Sequence, residues 1–182
     1  MGGDVGLDKD ASTLTSYLVE YNPHVLLIGG DNAYDDGMRT CFFSWDNFYD
    51  IMDELNGKLN RMVPMVLTVG NHDVGYNALA GINIDFNNVD DLPYYFLFNP
   101  QHRLLGTNDV PDAKDRLSYH YHIIGPTIHV HLDSGYVKDF NSQRLLIEKI
   151  NNDYSKLYKF ANYHNPIYPS CTDDTEGSVI FS

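Results

Sequence analysis

Apolar positions along the chain fall into two spacings. Short unbroken runs at residues 24–28 and 64–69, the second reading Pro64-Met65-Val66-Leu67-Thr68-Val69, predict buried strands. Residues 8–20, 41–61 and 141–156 instead repeat apolar side chains three and four apart, which predicts helices with one packed face. Those faces are Leu14, Tyr17, Leu18 and Tyr21; then Trp45, Phe48, Ile51, Met52 and Leu55; then Leu145, Leu146, Ile150 and Tyr154. Asn22-Pro23 stops the first helix. Residues 117–125 and 127–133 alternate through Tyr119, Tyr121 and Ile123, and predict an antiparallel pair turning at Gly125-Pro126. Residues 157–163 predict a further strand and 94–98 a short one, whereas 75–93 reads as loop and 103–116 as a long connection.

Two strand–loop units separated by a helix predict a parallel sheet with helices on its faces. Sheets of that class place ligands beyond the carboxyl ends of their strands. Four polar loops have this placement or resemble it. They offer Asp4 after Gly3, Asp31 and Tyr34 after Gly29-Gly30, Asn71 and His72 after Gly70, and His164 after the strand at 157–163. Singly, each has an ordinary explanation, Asp31 as a turn cap and His72 as a surface imidazole. Jointly, four such loops in order point to convergence at one sheet edge. Carboxylate, amide, phenol and imidazole donors suit hard or borderline metals.

A formal charge of −13 argues against a nucleic-acid surface, which needs a basic face. It leaves a metal site open, because bound cations offset clustered carboxylates. No apolar run approaches the ~18–20 residues of a membrane span, and no basic-plus-apolar signal pattern opens the chain. Cys41 and Cys171 lack the paired spacing of a structural zinc site, and either a disulfide or two thiols fits them. The length of 182 residues suits one domain.

Four blocks carry a resemblance: Gly3-Asp4-Val5-Gly6, Gly30-Asp31-Asn32-Ala33-Tyr34, Gly70-Asn71-His72-Asp73 and His164. In this order they resemble the calcineurin-like metallophosphoesterases, and most of all the purple acid phosphatases of the tartrate-resistant type. The stretch from Tyr119 to Gly135, with Leu132-Asp133-Ser134 near its end, resembles that family's central hairpin. Tyr34 is the sharper discriminator, since most relatives carry a carboxylate there.

The resemblance implies an α/β fold, a β-sheet sandwich flanked by helices, and a dinuclear metal centre. Asp31 would bridge the metals, Asp4 and Tyr34 would join it on Fe(III), and Asn71 and His164 would hold Fe(II), Zn(II) or Mn(II). His72 would act as general acid. The implied activity is acid hydrolysis of phosphate monoesters, with a phosphodiesterase or a non-catalytic scaffold as alternatives. A secreted, vacuolar or lysosomal setting is what the family implies for localisation. The family's closing Gly-His-x-His block is absent. His129-Val130-His131 is no substitute, since it lacks the glycine and falls in a predicted strand. Residues 1–182 are therefore expected to form one catalytic domain lacking its first strand and that closing block, with weak metal binding. Asp173 and Asp174 stand where the family often places further histidines.

Overall fold

The computed structural model describes residues 3–76, 84–99, 112, 115–137 and 140–165. Helix α1 spans Lys9–Tyr21, strand β1 Leu26–Ile28, helix α2 Phe43–Leu59 and strand β2 Met65–Leu67. The one-turn helix α3 (Asn71–Val74) and the short α4 (Tyr94–Phe98) follow, then the hairpin β3 (His120–Ile124) and β4 (Thr127–His131), helix α5 (Phe140–Asp153) and strand β5 (Tyr158–Asn162).

β1 and β2 pair in parallel, Leu27 against Val66. β3 and β4 are antiparallel, and β5 joins β4 in parallel, so that α5 is the crossover of a strand–helix–strand unit. Two apolar clusters fill the layers. One gathers Ala11, Ile28, Trp45, Phe48, Leu67 and Tyr95 between α1, α2 and the first sheet. The other packs Tyr121, Ile128 and Val130 against Leu146 and Ile150 of α5. Between the sheets, Thr68 Oγ1 lies 2.7 Å from His131 Nδ1, and His164 Nδ1 lies 3.0 Å from the Gly29 carbonyl. The layers thus run helix, sheet, sheet, helix, which agrees with the expected α/β class.

The N-terminus of α1 is set by Asp8, whose carboxylate accepts from the amides of Asp10 and Ala11, and Asn22 closes it in the left-handed region. Its packed face differs from the expected one. Ala11 and Thr15 are buried, whereas Leu14, Tyr17 and Tyr21 are 65%, 56% and 79% exposed. Small side chains at i and i+4 face α2, and the larger ones point away. In α5 the stripe is Gln143, Leu146 and Ile150, with Leu145 exposed. Gln143 is buried because its amide pairs with both backbone groups of Asp133, each at 2.9 Å. Residues 94–98 are helical, not a strand: Pro93 suits a helix start, and the Asn99 amide closes the turn on the Tyr95 carbonyl at 3.0 Å. The connection at 103–116 and residues 171–174 fall largely or wholly outside the described residues.

Candidate metal centre

The loops after β1 and β2 meet the residues after β5 above the first sheet. The segment at Asp4 lies alongside, its amide bonded to the Gly30 carbonyl at 3.0 Å and the Val5 amide to that of Asp31 at 3.2 Å. Two glycines permit the close approach. A Cβ on Gly30, which sits at φ +95°, would stand 2.8 Å from His164 Nδ1, and one on Gly70 would overlap the Asp31 carboxylate. Among the described residues six non-glycine residues adopt positive φ; Asn22 and Asn60 cap helices, and the other four are Asp4, Asp31, Tyr34 and Asp36. Backbone strain is therefore confined to the loops that carry candidate ligands.

A buried carboxylate holds those loops in place. Asp73 accepts from the Gly70 amide, the Asn32 amide and Asn32 Nδ2, each at 2.8 Å. Burial raises its pKa to about 6, against these hydrogen bonds, which lower it. Asn32 also donates to the Thr68 carbonyl at 3.1 Å, so the first loop is pinned to the end of β2.

Asp31 is 3% exposed, and its Oδ1 accepts from the His72 amide at 3.0 Å. Asp4, Asp31 and His164 each offer a ligand atom within 4.8 Å of the others, the one such trio among the described residues. His164 Nε2 lies 3.0 Å from Asn71 Oδ1 and 3.3 Å from Asp31 Oδ2. Its other nitrogen faces the Gly29 carbonyl, so both ring nitrogens face acceptors. A neutral ring has one proton for these two acceptors, and an imidazolium, a turned Asn71 amide or a cation in place of one proton each completes the set. Burial draws the His164 pKa down, but the hydrogen bond and charge of Asp31 outweigh it and the net shift is upward. With Nδ1–H held by the backbone, Nε2 is free to act as a ligand, and the oxygen-rich donor set fits a metal.

Tyr34 completes one side, its hydroxyl donating to Asp4 Oδ1 at 3.3 Å. Burial, with the charges of Asp4 and Asp31, pushes the phenol well above its ordinary pKa. His72 stands at the rim, 35% exposed, with its ring 4.8 Å from that of Tyr34 and its Nε2 4.0 Å from Asp31 Oδ2. Its Nδ1 is 2.5 Å from Asp36 Oδ1. A cleft of about 300 Å³ opens beside Asp4 and His164, walled by Gly3, Gly29, Ala161, Asn162 and Tyr163.

All six residues singled out from sequence are thus brought together: Asp4, Asp31, Tyr34, Asn71 and His164 in one cluster, and His72 beside it. They do not share one sheet, as the loop pattern suggested. His164 follows β5 of the second sheet and reaches across to the first. Sequence reasoning missed Asp36, the partner of His72, and the framework role of Asp73 with Asn32. Asp36 lies two residues beyond Tyr34 and Asp73 closes Gly70-Asn71-His72-Asp73, but spacing alone gave neither a task.

No helix among the described residues is long and apolar enough to cross a membrane. No curated protein gives a significant match to the chain. Residues 3–180 match the family model described as calcineurin-like phosphoesterase. That family carries out metal-dependent hydrolysis of phosphoesters, typically through a dinuclear centre, and the acidic and imidazole trio supplies a candidate for it. With nearly its whole length matched and the donor cluster at the strand ends, the chain belongs to the calcineurin-like phosphoesterase family.

Proposed function

We propose that this chain hydrolyses phosphate monoesters in the manner of the purple acid phosphatases. The observation that carries the reading is the meeting of Asp4, Asp31 and His164 within 4.8 Å, with Tyr34 hydrogen-bonded to Asp4. Asp31 is the bridging ligand in this reading, central to the cluster and held by the His72 amide. Asp4 and Tyr34 take the trivalent iron, and Asn71 with His164 takes Fe(II), Zn(II) or Mn(II). Tyr34 supports iron on chemical grounds. A phenol whose pKa its surroundings raise yields its proton only to a strong Lewis acid. Paired cations would supply an activated nucleophile and clamp the phosphoryl oxygens. His72, outside the cluster with Nδ1 on Asp36, presents Nε2 to protonate the leaving alkoxide. The cleft beside Asp4 and His164 has room for a small phosphoester.

The test is metal content and turnover after loading with iron and zinc, for the native chain, Asp31→Ala and Tyr34→Phe. Weakly held metal, approaching two ions per chain only at saturating loading, is expected, lost in Asp31→Ala, with a visible iron–phenolate absorption lost in Tyr34→Phe. Hydrolysis of p-nitrophenyl phosphate should exceed that of bis-p-nitrophenyl phosphate. Diester preference would move the reading to a phosphodiesterase, and a Tyr34→Phe spectrum identical to that of the native chain would remove the iron assignment. A loaded chain that hydrolyses neither ester would leave a binding scaffold.

A further inference from the structure

The second sheet carries polar groups that the centre above does not use. In the hairpin register His120 faces His131 and His122 faces His129. The two-residue period puts all four on one side of the sheet, opposite Tyr121, Ile128 and Val130. His120 and His131 are 1% and 0% exposed. Among the described residues neither ring nitrogen of His120 has a hydrogen-bond partner, nor has His131 Nε2. A neutral imidazole brings one N–H and one lone pair, and burying them unmet is unfavourable. Such a group calls for a ligand.

We infer that His120, His122 and His131 form a second, all-imidazole site for a borderline divalent ion such as zinc, cobalt, nickel or copper. A His-x-His pair on one strand with a histidine directly across the ladder points three imidazoles at one region of space. Their ring centroids are 4.8 Å apart for His120–His131, 5.1 Å for His120–His122 and 6.2 Å for His122–His131. Three imidazoles on one ion with metal–nitrogen bonds near 2 Å place their centroids roughly 5 Å apart. His131 is already oriented, since Thr68 Oγ1 engages Nδ1 at 2.7 Å and leaves Nε2 as the ligand atom. His122 is only partly buried and gives access from solvent. His129 stays outside the set, with Nε2 at 3.1 Å from Thr127 Oγ1 and its ring stacked on Phe160.

Burial and mutual repulsion depress the pKa of all three, His131 to about 3, so their lone pairs are free at neutral pH. The rings of His120 and His131 lie parallel within 3°, and the nitrogens do not yet converge as those of Asp4, Asp31 and His164 do. Imidazole lone pairs lie in the ring planes, so two parallel rings cannot share one ion, and a partial rotation about Cβ–Cγ, a broad torsion for histidine, is what tilts a ring out of the stack. Binding therefore turns one ring of the stack.

This site does not depend on the phosphoesterase reading, and the experiment keeps the two apart. A chain carrying Asp31→Asn and His164→Ala, stripped with chelator, is titrated with Co²⁺. One Co²⁺ per chain is expected, with the intense visible bands of a four-coordinate ion, and Zn²⁺ should displace it. Adding His122→Ala should weaken binding at least tenfold, whereas adding His129→Ala should leave it unchanged. Paramagnetic loss of the His120, His122 and His131 ring signals in the unmutated hairpin gives the same answer without altering the site. No Co²⁺ uptake by the folded Asp31→Asn/His164→Ala chain, an affinity that His122→Ala leaves unchanged, or ring signals that Co²⁺ leaves sharp would each overturn the inference.

Discussion

The two sheets bury polar side chains under opposite conditions. Beside the first, Asp73 is fully buried and receives three N–H donors at 2.8 Å. Within the second, His120 is as deeply buried and receives none, and His131 has Thr68 alone. A buried group with its hydrogen bonds complete is framework, because removing it strands its partners. A buried group without them adds little to the empty protein and is free to serve a ligand. The same depth of burial therefore predicts opposite responses to substitution.

The largest effect that can break this comparison is the loss of Asp73. Asp73→Ala leaves the Gly70 and Asn32 donors unpaired and frees both loops that carry candidate ligands. At about 1–3 kcal/mol for each stranded buried group, a net loss of about 3–5 kcal/mol is expected in urea unfolding of the metal-free chain. His120→Leu keeps similar volume and removes two unmet polar atoms, so its stability should stay within about 1 kcal/mol of the native chain. Equal losses from the two substitutions would show that burial alone, not hydrogen-bond completion, separates the regions.

A smaller effect sharpens the comparison through acidity. His131 titrates in the folded chain at about 3, and His120 also lies well below the ordinary value. Burial is the main cause for both, followed by the neighbouring histidines. Between the unfolded pKa near 6.5 and those depressed values, the unfolded chain binds the protons and the folded chain does not. Stability from these groups is thus present above about pH 6.5 and falls as pH drops, by about 1.4 kcal/mol per unit for each group. Urea midpoints between pH 7 and 4 should show His120→Leu with a shallower decline than the native chain, both metal-free. Identical slopes would mean that the imidazoles are solvated enough to titrate normally.

What could be read in the sequence follows from the range of the forces involved. The α2 face from Trp45 to Leu55 and the strands at β1, β2 and β5 are set by local periodicity, which one chain displays directly. The packed faces of α1 and α5 are set by their neighbours. Ala11 and Thr15 are buried because α2 comes close, and Gln143 because Asp133 offers it a complete backbone pair. Neither fact has a local signature. The ligand-type residues were legible because each ends a strand, whereas the Asp36–His72 pairing spans 36 residues and depends on how two loops cross. The histidine face was legible only as alternation. Its meaning came with the register that sets His120 against His131.

The smallest effect concerns an acid of the first region that is neither buried nor structural. Asp36 is 31% exposed at its side chain and touches the centre only through His72 Nδ1 at 2.5 Å. If completion of buried hydrogen bonds is what stabilises this region, Asp36→Ala should shift the urea midpoint by less than about 0.5 kcal/mol. Its effect should fall on turnover, because in the proposed mechanism the carboxylate fixes the ring that would present Nε2 to the leaving group. A drop in kcat of about tenfold is expected, equivalent to about 1.4 kcal/mol in the barrier, with KM little changed. Asp36→Asn keeps an acceptor for Nδ1–H and should recover part of the loss. A structural role would instead lower the midpoint and leave the Asn variant no better than Ala, and Asp36 would then join Asp73 as framework rather than orient a catalytic group.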